Sequence, residues 1–331
     1  MTATCPWCSA PRDSGPTCPR CGASYAKAEA IKARGRAAPV IEQAPVVAQE
    51  LDSAALIYTE ASPDEWKAVD DAQLEWKFCM GAIPITLCIA VAFHACGLGS
   101  ALQRIFLTMP VHEFGHAVTA WFCGFSAIPT LWKTLIPETR GFVAPLVLLG
   151  AIGYLTYRAH RTNRLLFMCA GVGLIVLQAI ATLGIKQDTA LMWISFGGDG
   201  AGMILATLLM GSFFFGKRTQ LYKGSLRWGF VVIGAAAFVD IYATWWKARK
   251  DESAVPYGTT GGMATDSMTL VDVYGWSMQT LVHRYVVLGV CCLIALALVY
   301  AWGVWKAKSE IEARRLAQKT ADWAKRKQEG R

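Results

Sequence analysis

Two histidines and a glutamate lie close together in the segment MPVHEFGHAV, residues 109–118. On a helix, His112 and His116 are one turn apart on the same face, so both imidazoles can reach one zinc ion at about 2.0–2.1 Å. Glu113 lies about 100° around the helix from His112, where it can touch a water on that zinc and act as the general base of peptide hydrolysis. The alternative is a pair of buried histidines with a paired or capping glutamate. The metal site is favoured because ionisable side chains inside an apolar run are costly and are usually functional.

A catalytic zinc needs a third protein ligand and one open position. We favour Asp199, which lies in the segment GGDG, residues 197–200. Glycines permit irregular backbone at membrane depth, and the N-terminus of a following helix stabilises a carboxylate. The pattern therefore predicts a helix over 189–215 that is broken at these glycines. The other candidate ligands are His94, Glu138, His160, Asp188, Asp240, Asp272 and His283.

His94, in AFHACG, has a second interpretation. It can support the metal site by hydrogen-bonding a ligand or stabilising an oxyanion, or it can be a histidine packed between helices. The two interpretations stay open on the sequence.

Four cysteines near the N-terminus form a second candidate metal site. Cys5, Cys8, Cys18 and Cys21 have the spacing CxxC-x9-CxxC, which offers two pairs of thiolates to one structural zinc. So short a segment cannot bury a core, so the metal would supply its folding energy. Two disulfides are the alternative, disfavoured by the paired spacing and by the lack of an apolar signal segment in the first 22 residues. The stretch resembles the small zinc ribbons of many bacterial membrane and regulatory proteins.

The elements that must position these residues are apolar. Of the 331 residues, 54% are hydrophobic and only 17% are charged, against about 25% charged in a typical soluble domain. The apolar residues occur in runs near the length of about 20 residues that spans a bilayer. The sequence thus predicts an all-α polytopic membrane protein with 6–7 transmembrane helices. We place the apolar segments at 80–98, 105–124, 141–157, 165–184, 189–215, 226–246 and 285–305.

The predicted domain order follows from shifts in composition along the chain. We expect a zinc ribbon at 1–22, a flexible linker at 23–64, a juxtamembrane helix with the transmembrane domain at 65–305, and a basic cytoplasmic tail helix at 306–331. The net charge of +8 is concentrated in loops and in the tail, which indicates membrane topology and lipid contact rather than nucleic-acid binding.

The membrane topology implied by these segments contains a conflict. The loops at 157–164 and 216–227 and the tail all favour the cytoplasm. Seven crossings would then leave the thiolate ribbon outside, where such sites are less expected. Either the first segment does not fully cross, or the stretch 125–140 conceals a miscounted span.

With HEFGH and the downstream GGDG together, the chain resembles the site-2 protease family of intramembrane zinc metalloproteases, over roughly residues 80–246. The resemblance implies His112, His116 and Asp199 as ligands of a catalytic zinc and Glu113 as the base that activates the zinc-bound water. It also implies a transmembrane protein substrate, regulated intramembrane proteolysis, and an integral protein of the bacterial inner membrane. The ribbon is expected to recruit a protein partner.

A function of another class is also open. The protein can be a non-proteolytic membrane scaffold or receptor, whose ribbon binds a partner and whose HEFGH site is structural or degenerate. Zinc stoichiometry separates the two functions, because the protease should hold two zinc ions and the scaffold only the one in the ribbon.

Overall fold

The computed structural model describes residues 4, 5, 11, 14–21, 24–26, 63–215, 226–260 and 262–329. It is mostly helical, as the sequence predicts. The helices are α1 (Pro63–Ala95), α2 (Gly97–Gln103), α3 (Met109–Phe122), α4 (Val143–Arg161), α5 (Leu165–Ala179), α6 (Gln187–Gly211), α7 (Leu226–Ala248), α8 (Asp266–Met268) and α9 (Met278–Glu329). Two short antiparallel hairpins pair β1 (Ile128–Pro129) with β2 (Thr134–Leu135) and β3 (Thr259–Thr260) with β4 (Met263–Ala264).

Five helices in the described part are long and apolar enough to cross a membrane. They are Ala72–Ala95, Leu165–Gly184, Gln187–Phe214, Leu226–Ala248 and Met278–Gln328. This agrees with an all-α membrane protein. Two of the predicted apolar segments do not form such a helix. Helix α3 is too short, with only 14 residues. Helix α4 is not apolar enough along its whole length, because its last turn carries Arg158, His160 and Arg161.

Helix α6 is continuous through Gly197–Gly200, so the predicted break at these glycines is wrong. The glycines allow a close approach between α6 and α3. A Cβ atom on Gly115 would lie 2.6 Å from the carbonyl oxygen of Gly197, and one on Gly198 would lie 2.5 Å from the imidazole of His116. Small residues let helix backbones meet in this way without disturbing the backbone hydrogen bonds of either helix.

The first and last spans are longer than the apolar segments within them. The predicted juxtamembrane helix at 65–78 is continuous with the first span in α1, and the basic tail is continuous with the last span in the 52-residue helix α9. The chain divides into two compact units, one of which comprises Ser62–Thr320 and contains the helices that carry HEFGH and GGDG. The predicted linker falls almost wholly outside the described residues.

The core of this unit surrounds α6 and α7. Met203, Met210, Phe213, Val231 and Ile241 are fully buried there. A second, smaller cluster joins α3, the turn that follows α5 and the start of α6, and holds the helix that carries HEFGH against its neighbours. Its buried members are Ala117, Ala120, Cys123, Phe125, Ala127, Ala181, Ala190 and Ile194.

Candidate metal centre

Helix α3 carries the HEFGH residues into the interior of the unit. It follows a π-helical turn at Arg104–Thr108, in which the N–H of Met109 donates to the carbonyl of Arg104. The wider turn accommodates Pro110, which has no N–H for the helix ladder. His116 and Glu113 are buried. Burial of such groups requires compensating partners, which the structure supplies.

Three ligand atoms converge at one point. The Nε2 atoms of His112 and His116 are 3.2 Å apart. Oδ2 of Asp266 lies 3.1 Å from the Nε2 of His116 and 3.2 Å from that of His112. Donor atoms held about 2.0–2.1 Å from a tetrahedral zinc are about 3.3 Å from one another. The triangle therefore has the size that a zinc ion needs, and two imidazoles with one carboxylate are a suitable donor set for it.

The outer ring nitrogens of both histidines are already occupied. Nδ1 of His112 lies 2.8 Å from Oδ1 of Asp199, and Nδ1 of His116 lies 2.7 Å from the carbonyl oxygen of Ile194. Because a carboxylate and a carbonyl only accept, each Nδ1 carries the proton and donates. The Nε2 lone pairs are then left for a metal, with the rings held in orientation by the bonds on the other side.

Asp199 reaches the site, but on the far side of the His112 ring from the three converging atoms. Its second oxygen, Oδ2, accepts a 2.7 Å hydrogen bond from Nε1 of Trp245. Trp245 in turn stacks on Tyr285, with ring centroids 4.1 Å apart. Both carboxylate oxygens of Asp199 are thus engaged away from the Nε2 atoms. This differs from the ligand role that the sequence predicts for Asp199.

Asp266 takes the third corner of the triangle and is not among the ligands that the sequence pattern predicts. It begins the short helix α8 directly after the β3–β4 hairpin, where the Thr265 side chain caps the turn by accepting from the N–H of Met268. Burial opposes ionisation of the Asp266 carboxyl, but when His116 and His112 are protonated their charge and their hydrogen bonds hold its pKa well below its usual range. No sequence signal distinguishes this aspartate, because Thr-Asp after a glycine-rich turn is an ordinary helix start.

Glu113 faces the β1–β2 hairpin. Oγ1 of Thr134, in β2, lies 2.8 Å from Oε2 of Glu113 and 2.7 Å from its carbonyl oxygen. The hydroxyl has one proton, which it can donate to the Glu113 carboxylate or share with the Glu113 carbonyl. This contact can orient the Glu113 carboxylate, and the sequence did not reveal it.

His94 lies with Asp240 and Arg104 rather than at the triangle. Its Nδ1 is 3.3 Å from Oδ1 of Asp240, whose Oδ2 accepts a 3.0 Å hydrogen bond from Arg104. Asp240 is 3% exposed, and the guanidinium of Arg104 offsets the cost of burying its charge. This arrangement favours the interpretation of His94 as a histidine packed between helices.

The remaining ligand candidates also lie apart from the three converging atoms. Tyr257 donates to Asp272 over 2.6 Å, and this bond raises the pKa of the tyrosine. Glu138 meets Gln187 through its backbone carbonyl. Among the described residues, five candidates do not belong to any cluster of side chains close enough to hold a metal ion. They are Glu138, His160, Asp188, Asp272 and His283.

The N-terminal cysteines are brought together as far as the structure describes them. Cys5, Cys18 and Cys21 form a group whose sulfur atoms lie within 4.8 Å of one another. Cys5 and Cys18 are buried. Isolated bridges pair Thr4 with Pro11 and Thr17 with Ser24. Cys8 lies outside the described residues, so the predicted four-cysteine zinc site is represented by three of its members.

Fold and site together define a helical protein with membrane-length helices and two clusters of metal-ligating side chains. No protein-family profile, no curated protein and no solved structure matches the chain.

Proposed function

We propose that the protein is an intramembrane zinc metallopeptidase that hydrolyses peptide bonds in or near transmembrane segments of other proteins. The observation that carries this proposal is the Nε2–Nε2–Oδ2 triangle of His112, His116 and Asp266, with sides of 3.1–3.2 Å. It comes together with Glu113 on the same helix, in the spacing that zinc peptidases use. Three ligands of one zinc and the adjacent base are thus supplied by helix α3 and the connection that carries Asp266.

The chain's own residues have distinct roles in this chemistry. His112, His116 and Asp266 would hold zinc, which when bound polarises the scissile carbonyl and makes the attacking water more acidic. Glu113 accepts the proton from that water and returns it to the leaving amine, so the same carboxylate serves as base and then as acid. Thr134 orients Glu113 through the 2.8 Å hydrogen bond to Oε2. Asp199 and Ile194 hold the two histidine rings through their Nδ1 atoms.

The β1–β2 hairpin supports a peptide as the substrate. It is a two-stranded sheet, so each strand has an outer edge free of any other strand in the described part. Main-chain groups at such an edge can pair with an extended peptide. Ile128, Leu131, Trp132 and Leu135 are half or more exposed along the hairpin. This apolar surface next to Glu113 suits a segment drawn from a membrane helix, which must unwind before its carbonyls are accessible.

The full chain should bind two zinc ions and cleave membrane proteins. We would measure zinc by atomic absorption on the purified full chain, and map new protein termini in membranes of cells that produce either the native protein or Glu113→Gln. The glutamine keeps the size of the side chain but cannot accept the proton. The expected result is two zinc ions in both proteins and new termini only with the native one.

Two outcomes would overturn the proposal. Identical termini in the native and Glu113→Gln membranes would show that Glu113 has no catalytic role. A single zinc that is lost on Cys5→Ser/Cys8→Ser and unaffected by His112→Ala would instead identify a scaffold whose only metal is in the ribbon.

We further propose six crossings of the bacterial inner membrane rather than seven, with the basic tail in the cytoplasm.

A further inference from the structure

The direction of each helix follows from pairs of contacts at its two ends. Helices α3 and α6 are antiparallel, because His112 meets Asp199 while His116, further along α3, meets Ile194, further back on α6. Helices α6 and α7 are also antiparallel. Trp245, near the end of α7, reaches Asp199, whereas Gly234 lies against Ala206 later in α6.

The first and last spans can be oriented in the same way. Glu75 pairs with Arg227 at the beginning of α7 and His94 with Asp240 later in α7, so α1 runs parallel to α7. The hydroxyl of Tyr285 donates to the carbonyl of Phe196. Gly303 lies against Phe214, directly after α6, so α9 runs parallel to α6.

Helices α4 and α5 form an antiparallel hairpin. Gln178, near the end of α5, donates to the carbonyl of Pro145 at the start of α4. Thr182, just beyond α5, donates to the carbonyl of Phe122 at the end of α3. The α4 start and the α5 end therefore lie at the end of the unit where α3 finishes.

These directions resolve the conflict in the sequence-based topology. Both α1 and α3 run toward the end of the unit at which α7 finishes, although only α2 and the π-helical turn at Arg104–Thr108 separate them. Because His94 meets Asp240 rather than the end of α7 at Ala248, α1 stops short of that end. Helix α2 leads slightly back along α7, since Gln103 donates to the carbonyl of Ala236, and α3 then continues toward the end of α7. Together they make one net crossing. With α4, α5, α6, α7 and α9 the count is even, so α1 begins and the last span ends on the same face.

The two faces differ in charge. The face where α9 leaves the membrane also receives the connections at 157–164 and 216–225, which carry three Lys/Arg each and no acid, and the tail at 306–331 has nine Lys/Arg against four acids. The opposite face receives 123–142, 180–186 and 249–277, where five Lys/Arg stand against five acids. Short connections rich in Lys and Arg stay in the cytoplasm. The connection 249–277, which carries Asp266, therefore lies on the non-cytoplasmic face.

We propose that the metal centre is completed and reached from the non-cytoplasmic face, and that its substrates are transmembrane segments cut near their non-cytoplasmic ends. The substrate part of this inference rests on the peptidase function proposed above. Asp266 is contributed by the non-cytoplasmic connection, since α8 belongs to 249–277. The centre is shallow on that side: Ile194 is seven residues from the start of α6 at Gln187, or about 10 Å along the helix at about 1.5 Å per residue.

The sidedness can be tested by labelling. Thr259→Cys places a thiol on the exposed β3 strand of the non-cytoplasmic connection, and Thr162→Cys places one in the exposed α4–α5 turn as the matched control. In right-side-out vesicles a membrane-impermeant polyethylene-glycol maleimide should add one mass increment to Thr259→Cys above the parent protein and none to Thr162→Cys. The reverse pattern, or equal labelling of both in sealed vesicles, would overturn the proposal.

Access to the metal can be tested separately. The Cys5→Ser/Cys8→Ser variant removes the ribbon thiols, so bound zinc reports the membrane centre alone. An impermeant chelator should remove this zinc from right-side-out vesicles and leave most of it in inside-out vesicles. Loss confined to inside-out vesicles, equal loss in both, or no bound zinc would overturn the proposal.

The proposed position of the cut in the substrate is tested by mapping the new protein termini. Cut sites in the non-cytoplasmic half of transmembrane segments are expected, and cut sites in the cytoplasmic half would contradict it. Zinc removable only from outside without any cleavage would refute the peptidase function while leaving the sidedness of the metal intact. Cleavage that is stopped only by a chelator on the cytoplasmic side would refute the sidedness of the metal while supporting the peptidase function.

Discussion

Oδ1 of Asp199 lies 2.8 Å from Nδ1 of His112, on the side of the ring turned away from His116 and Asp266. This one contact separates two roles that a carboxylate can have beside a metal. A ligand would share the Nε2 side, whereas a carboxylate on Nδ1 fixes the tautomer and orientation of the ring and raises its basicity. Trp245 holds the other Asp199 oxygen, so the geometry supports the second role.

The two aspartates should therefore respond differently to substitution. Asp266→Ala removes a ligand atom and should abolish the membrane-centre zinc. Asp199→Asn keeps a group that can accept from Nδ1 but lacks the charge, and should weaken zinc binding by about 10–100-fold without abolishing it. Zinc titration of the Cys5→Ser/Cys8→Ser background measures both. If Asp199→Ala abolishes zinc while Asp266→Ala retains it, Asp199 is the ligand, as the sequence alone indicates.

Thr134→Val should lower kcat and leave both KM and zinc content unchanged. Valine keeps the shape of threonine and removes the hydroxyl that holds Oε2 of Glu113. A hydrogen bond to a charged group of this kind corresponds to about a tenfold loss in rate. Thr130→Val is the matched control in the same hairpin, because its hydroxyl bonds only locally, to Lys133. An equal loss in both variants would mean that hairpin stability, rather than Glu113, is affected.

Gly198→Ala should destroy the metal centre by overpacking. The added Cβ would lie 2.5 Å from ring atoms of both His112 and His116, so the rings or the helices must shift. Overpacking of this kind costs about 1–3 kcal/mol of stability. Gly150→Ala in α4, where a Cβ meets nothing within 4 Å, is the control. Zinc content and thermal unfolding in detergent report the two effects, and unchanged zinc in Gly198→Ala would contradict the close approach of α3 and α6.

Glu75→Gln should destabilise the helix bundle and leave the zinc content of the metal centre unchanged. Arg227 makes two hydrogen bonds to Glu75, of 2.7 and 2.9 Å, and its guanidinium lies 4.6 Å from the centroid of the Phe213 ring. Leaving a buried arginine without its carboxylate costs about 3–5 kcal/mol.

Glu312→Gln provides the control for that measurement. Its ion pair with Lys308 spans 4.0 Å and both side chains are well exposed, so its loss should cost at most about 1 kcal/mol. A similar midpoint of thermal unfolding for Glu75→Gln and Glu312→Gln would show that the buried pair adds no stability.

Much of the architecture was predictable from local pattern. Apolar runs near the length of a bilayer predict α1, α5, α6, α7 and α9, because helix length and hydropathy are local properties of the chain. The same local reasoning wrongly predicted a helix break at the glycines of GGDG. Glycine can mark a break or a close helix contact, and only the neighbouring helix α3 distinguishes the two.

For the site, the sequence by itself placed His112 and His116 one turn apart, since helical spacing determines which side chains share a face. The role of Asp199 and the identity of Asp266 depended on the tertiary structure. Asp266 is 150 residues from His116 along the chain, in a connection without a metal-binding motif of its own. Its carboxylate reaches the imidazoles only because α6, α7 and α9 pack so that the connection between α7 and α9 lies over α3. Such long-range contacts result from the packing of whole helices, which no local spacing encodes.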